Sequence, residues 1–124
     1  MIIPVILMDL KLEPCINRIK LGEWFEIDEQ QYLLYILRGY EIDVTEISVS
    51  WRLNGLWHRE DGPAYIGADG TQDWYLNGQR HREDGPAYIK ADGTKQWYLN
   101  GKQMTEHEWR HHVDKMNDIS LVPN

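Results

Sequence analysis

The sequence predicts an α+β protein: a short antiparallel sheet of tandem 23-residue hairpin repeats, with an N-terminal α+β segment before it and a C-terminal capping helix after it. Three observations predict this. Trp51-Arg52-Leu53-Asn54-Gly55 returns as Trp74-Tyr75-Leu76-Asn77-Gly78 and again as Trp97-Tyr98-Leu99-Asn100-Gly101, 23 positions on each time. Residues 51–73 and 74–96 agree at 17 of 23 positions, and differ at 52/75, 56/79, 57/80, 67/90, 72/95 and 73/96. Helix-start signals stand on both sides of this array, at Asp28 and Thr105. A fixed period of this size marks stacked units, each too small to bury its own apolar face.

In chain order, the apolar run Val5 to Met8 behind Ile2-Ile3-Pro4 reads as a buried strand. It is far shorter than the roughly 20 residues of a membrane-spanning helix, and it lacks the basic leader and small-residue cleavage site of a signal peptide. Glu23-Trp24-Phe25-Glu26-Ile27 reads as a second strand. Asp28 and Gln31 have capping-box spacing ahead of Tyr32 to Leu37, and Gly39 supplies a stop, so one helix of about ten residues follows. Ile47, Val49, Trp51 and Leu53 then alternate as the first strand of the sheet.

Each repeat carries a hairpin. Asp69-Gly70 and Asp92-Gly93 separate Ala64-Tyr65-Ile66 from Trp74-Tyr75-Leu76 and Ala87-Tyr88-Ile89 from Trp97-Tyr98-Leu99. Asp-Gly can take positive φ at both positions, as a type I′ turn requires, and Asn54-Gly55, Asn77-Gly78 and Asn100-Gly101 make a further turn. Pro63 and Pro86 stand where a strand begins, which a residue without N–H tolerates. Alternation sets Trp74, Leu76, Ala87 and Ile89 on one face and Tyr75 and Tyr88 on the other. The third copy loses the His-Arg-Glu-Asp-Gly-Pro-Ala block. Thr105-Glu106-His107-Glu108 is a second capping box instead, opening a helix from about Glu106 to Met116 that closes the last unit. The partition is thus 1–46, an acidic α+β segment; 47–104, the repeat region; and 105–124, the capping helix and tail, in one compact domain.

Net charge is -7. Residues 1–50 hold four basic against nine acidic side chains, residues 51–104 seven of each, and residues 105–124 two against four. Phosphate binding wants a basic stripe, and none is present, so direct nucleic-acid binding is not expected. Cys15 is the only cysteine, which excludes an intramolecular disulfide, points to the cytoplasm, and reads as a small buried apolar residue.

The period, the aromatic followed by Asn-Gly and the later Asp-Gly together resemble the MORN repeat, in the variant form of bacterial and phage proteins. His58-Arg59-Glu60-Asp61-Gly62-Pro63-Ala64, repeated at residues 81–87, is similar to a stretch of small phage and prophage proteins. The resemblance covers residues 51–104 and implies interaction rather than catalysis; classical members of the family also suggest lipid association as an alternative.

Candidate site residues fall into three groups. His58, Arg59, His81 and Arg82 repeat in every complete unit, which suits a structural role or a repeated contact surface; Arg59 and Arg82 are expected to pair with Glu60, Glu83 or the neighbouring unit, and Asp61 and Asp84 to form turns. Trp57, where the second copy has Arg80, reads as an exposed loop tryptophan suited to an interface or as a cover for the N-terminal segment, while Tyr65, Tyr75, Tyr88 and Tyr98 form a tyrosine ladder. His107-Glu108-Trp109-Arg110-His111 matches H-E-x-x-H, in which two imidazoles one helical turn apart hold zinc and the glutamate activates water. Against a zinc site, Glu108 is wanted by the capping box and no clear third ligand follows.

The function expected is a non-enzymatic protein–protein interaction module without cofactor. It would bind and block a host protein with a basic surface, in the manner of a phage or bacterial inhibitor, anti-defence protein or antitoxin, in the cytoplasm. The alternatives are a zinc-dependent hydrolase on His107, Glu108 and His111, membrane association, for which no polybasic patch is present, and homo-oligomerisation through an open sheet edge.

Overall fold

The structure, a computed structural model, describes residues 17–121, with side-chain surroundings through residue 117. The strand expected within Ile2 to Met8 and the burial expected of Cys15 lie outside the described residues. Over the described residues the fold is mixed α+β, with antiparallel strand pairs and two helices, one of them C-terminal.

Strands β1 (Arg18–Leu21) and β2 (Phe25–Asp28) form a hairpin, with Leu21 opposite Phe25. The strand expected over Glu23–Ile27 starts later because Gly22, at φ +76°, opens a turn that runs through Trp24. Helix α1 (Glu29–Leu37) follows at once. Half of the expected capping box forms: the Asp28 carboxylate accepts the Gln31 N–H at 3.1 Å. The Gln31 amide turns away to Asp61, at 3.2 Å. At the other end Gly39 N–H reaches Ile36 O and Tyr40 N–H reaches Tyr35 O, the paired bonds of a Schellman motif, with Gly39 at φ +90°.

The remaining strands are β3 (Glu41–Val44), β4 (Ser48–Leu53), β5 (Leu56–Trp57), β6 (Tyr65–Gly67), β7 (Gln72–Asp73), β8 (Tyr75–Leu76), β9 (Gln79–Arg80), β10 (Tyr88–Ile89), β11 (Lys95–Leu99) and β12 (Lys102–Met104). The main sheet runs β12-β11-β10-β7-β6-β4-β3, with β5 also on β4, and β8 and β9 pair as a separate hairpin. Val49 and Trp51 of β4, fully buried, meet Ile27, Tyr35 and Tyr40 in the core. Phe25 and Tyr35 stand edge-on to the Trp51 ring, at 5.9 and 6.2 Å between centroids. Burial of each such large side chain contributes about 1.5–3 kcal/mol, so β4 anchors the N-terminal segment to the sheet.

The two kinds of turn exchange the roles expected of them. Asn54, Asn77 and Asn100 take φ of 55°, 51° and 51°, with the following glycines at 78°, 81° and 83°. These are the two-residue hairpin turns, closing Leu53 on Leu56, Leu76 on Gln79 and Leu99 on Lys102. At Asp69-Gly70 and Asp92-Gly93 only the glycine is left-handed, at +98° and +89°. Each aspartate instead accepts the N–H of the threonine two residues on, at 2.9 Å, and so closes a three-residue loop.

Helix α2 (Glu106–Leu121) outruns its expected end at Met116. Its capping box is complete: Thr105 N–H donates to the Glu108 carboxylate at 2.9 Å, and Glu108 N–H to Thr105 Oγ1 at 3.1 Å. Trp109 is buried and donates its indole N–H to the Arg82 carbonyl at 2.8 Å, which pins the helix to the sheet. Among the described residues no helix is long and apolar enough to cross a membrane.

Candidate interaction surface

The repeated His-Arg-Glu-Asp blocks leave β5 and β9 and cross the tryptophan face of the sheet. His58 Nδ1 accepts the Asn77 N–H at 2.9 Å, and His81 Nδ1 accepts the Asn100 N–H at 3.0 Å. Each imidazole thus holds the left-handed asparagine of the following hairpin. The other ring nitrogen meets Glu60 at 3.3 Å or Glu83 at 2.8 Å.

The arginines pair with the aspartates, not with the glutamates expected. Arg59 Nε donates to Asp61 at 3.2 Å and Arg82 Nε to Asp84 at 2.8 Å, while the guanidiniums also reach the carbonyls of Pro63 and Pro86. Each guanidinium lies over a tryptophan, Arg59 over Trp51 at 4.1 Å and Arg82 over Trp74 at 3.8 Å. A spacing of two residues lets a bent loop bring arginine and aspartate side by side, whereas the adjacent glutamate turns to the histidine. Gly62 and Gly85 make room for this: a Cβ on either would stand 2.9 Å from the guanidinium carbon.

Tyr35 of α1 joins the first block. Arg59 Nε donates to its hydroxyl at 2.8 Å, and the hydroxyl donates to Asp61. Burial, and next the hydrogen bond to Asp61, push the Tyr35 hydroxyl up to about 12. For Asp61 burial acts upward, but the bonds from Tyr35, Arg59 and Gln31 outweigh it and hold the carboxyl below its ordinary value.

The cations therefore face inward and the carboxylates outward. The side chains of His58, Arg59 and His81 are about one-tenth exposed, whereas those of Glu60 and Glu83 are 60 % and that of Asp84 85 % exposed. Between the two blocks and α2 runs a groove of ≈ 820 Å³, to which Trp74, Leu76 and Val113 give apolar surface, Arg59, His81 and Arg82 an inner layer of basic side chains, and Glu60, Asp61, Glu83 and Asp84 an excess of carboxylates.

The opposite face gathers the tyrosines in two groups. Trp57 sits on strand β5, half-buried, stacked on Tyr65 at 5.6 Å and edge-on to Tyr75 at 5.0 Å. Of the two readings of Trp57, that of an exposed loop residue does not hold, because two tyrosines cover it. Arg80 stands in the corresponding place of the second copy, over the rings of Tyr88, Tyr98 and Tyr75 at 4.2, 5.2 and 5.8 Å. It grips the buried Asp73 with two bonds of 2.8 and 2.9 Å, and that hydrogen bond, above all, raises the arginine's pKa. Burial raises the Asp73 pKa above its ordinary value, and the two-pronged contact with the Arg80 guanidinium offsets only part of that rise. Sequence reasoning missed Asp73 as a site residue. A signal for it existed, since positions 50/57, 73/80 and 96/103 hold Ser and Trp, Asp and Arg, then Gln and Gln, so charge enters at both positions together.

On α2, His107 and Glu108 lie in the first helical turn, with Glu108 engaged by Thr105. The backbone bond from Thr105 lowers the Glu108 pKa. The His111 ring lies beside His112, at 6.2 Å. Among the described residues no group of three or more His, Cys, Asp or Glu side chains is placed to hold a metal ion.

No protein-family model matches the chain, and neither a curated protein nor a solved structure matches it.

Proposed function

We propose that the chain is a non-enzymatic interaction module built from tandem 23-residue hairpin units of MORN-like type, which holds the basic surface of a partner protein against its acidic groove. One observation carries this reading: both blocks hold their arginines and histidines against tryptophan rings, carbonyls and asparagine N–H groups, while the carboxylates paired with those same side chains form the more exposed, outer layer along one groove.

Single exposed ion pairs are worth at most about 1 kcal/mol, so the acidic groove serves selection and rate more than raw affinity. Apolar surface from Trp74, Leu76 and Val113 beside it supplies the area on which affinity depends. A phosphate backbone would be repelled by the same carboxylates. A host protein that handles nucleic acid has the complementary charge, and occupying that surface would inhibit it.

The repeat reading is supported by bonds that recur 23 residues on. Trp51 N–H donates to Ala64 O and Trp74 N–H to Ala87 O, both at 2.7 Å, and Tyr65 opposite Ser50 corresponds to Tyr88 opposite Asp73.

The test is partner binding by a Glu83→Gln, Asp84→Asn double variant across a salt series. Weakened association, with a smaller salt dependence than that of the parent chain, supports the groove; unchanged binding at every salt concentration rejects it.

A further inference from the structure

Two strands of the sheet carry the same segment on the same edge. Ala64-Tyr65-Ile66 lies along β4, with Val49 opposite Ile66, and Ala87-Tyr88-Ile89 lies along β7, with Gln72 opposite Ile89. In both, the alanine is fully buried and its carbonyl accepts the N–H of a tryptophan. Strand β11 stands third in this series. Gln96 and Lys95 face Tyr88 and Ile89 of β10, as Asp73 and Gln72 face Tyr65 and Ile66 of β6.

The far side of β11 is where the series stops. Thr94 and Gln96 both direct their carbonyls to the β10 side, accepting from Lys90 N–H and Ala87 N–H at 2.9 Å. Backbone groups alternate along a strand, so the N–H and C=O of Lys95, between them, point the other way. No described strand pairs there. A concavity of ≈ 460 Å³ lies at this place, bordered by Lys95, Gln96, Trp97, Gln103 and Met104 and, at the start of α2, by Thr105, Glu106 and Glu108. The edge is short, because Trp97 already pairs with Met104 of β12.

We propose that the outer edge of β11 at Lys95 is a strand-addition site, and that its occupant is an extended segment of another protein with the small–aromatic–β-branched pattern of Ala-Tyr-Ile. The fold itself names that pattern, since it seats this segment on the equivalent edges of β4 and β7. The β-branched residue would exchange two backbone bonds with Lys95, as pairing along an exposed sheet edge requires. The small residue preceding the aromatic would lie beside Trp97, and the aromatic would fall on the tyrosine face beside Gln96 and Gln103. This site is separate from the acidic groove, and its failure leaves that reading standing.

The probe is a synthetic peptide of residues 85–92, Gly-Pro-Ala-Tyr-Ile-Lys-Ala-Asp, titrated into the full-length chain and followed by backbone amide NMR. Saturable one-to-one binding is expected, with shifts centred on Lys95 to Trp97, and roughly tenfold weaker binding when the isoleucine nitrogen is methylated and one hydrogen bond is lost. Absence of binding overturns the proposal, as does equal binding of the N-methylated or a scrambled peptide. A chain that is already dimeric, and that the peptide converts to monomer, also overturns it by making a second copy the occupant.

Discussion

The guanidinium carbon of Arg82 stands 3.8 Å above the centre of the Trp74 ring, while its Nε and Nη1 are held by Asp84 and the Pro86 carbonyl. Arg59 repeats the arrangement over Trp51. The repeated His-Arg-Glu-Asp block is thus the clasp that covers the tryptophan face. Its glycine is part of the clasp.

Replacement of Arg82 by alanine is expected to destabilise the chain by about 1–3 kcal/mol, from loss of the ring contact and of the donor to the Pro86 carbonyl. Gly85→Ala pushes the same guanidinium away and costs a similar amount alone, but little in an Arg82→Ala background. Urea denaturation of the two single variants and the double variant measures this coupling. Additive effects would show that Gly85 acts through its backbone instead.

Asn77 holds φ 51° and its N–H is bonded to His58. Asn77→Val should cost about 1–2 kcal/mol, because a β-branched side chain resists the left-handed region, whereas Asn77→Gly should be nearly neutral. Asp69→Asn, at a residue without positive φ, should retain the Thr71 bond and the stability. The same urea experiment ranks the three.

Tyr35 and Asp61 give the chain a pH signature at both extremes. The depressed Asp61 carboxyl contributes stability that is fully present above the ordinary value of 3.8 and is lost as pH falls through its lower folded value. The raised Tyr35 hydroxyl contributes stability that is present below pH 10 and is lost as pH climbs towards about 12. Tyr35→Phe should therefore flatten both limbs of a stability–pH curve. An acid limb identical to the parent's would contradict the bond from Tyr35 to Asp61.

Arg80 and Asp73 should behave as a unit. Arg80→Ala leaves a buried carboxylate without its partner and should cost about 3–5 kcal/mol, more than Arg80→Ala in an Asp73→Ser background. Serine is the residue at position 50, the equivalent place one repeat earlier. Thermal unfolding of the set decides it.

Much of this architecture was legible because it is local. Asp28 with Gln31 and Thr105 with Glu108 announced both helix starts within four residues, and the alternation around Val49 and Trp51 announced the anchoring strand. The turns were misread because Asn-Gly and Asp-Gly both tolerate positive φ. The difference lay in Thr71 and Thr94, whose N–H groups draw the aspartates into a longer loop. Strand β1 offered only four residues of alternation, Arg18-Ile19-Lys20-Leu21. The surroundings of Trp57, Arg59 and Arg80 were out of reach because they depend on Tyr65, Tyr35 and Tyr98, brought in by pairing across strands or by a helix 24 residues away in sequence.

The central claim is that the chain acts by holding a protein partner in its acidic groove. It is tested most directly by isolating the tagged full-length chain from a bacterial host at low salt, weighing what co-purifies and measuring bound metal on the same sample. The account predicts one partner protein per chain, with a basic surface, released by high salt and absent from the Glu83→Gln, Asp84→Asn variant. One zinc ion per chain, with no partner and with a hydrolytic activity abolished by Glu108→Gln, would contradict it and make α2 the site.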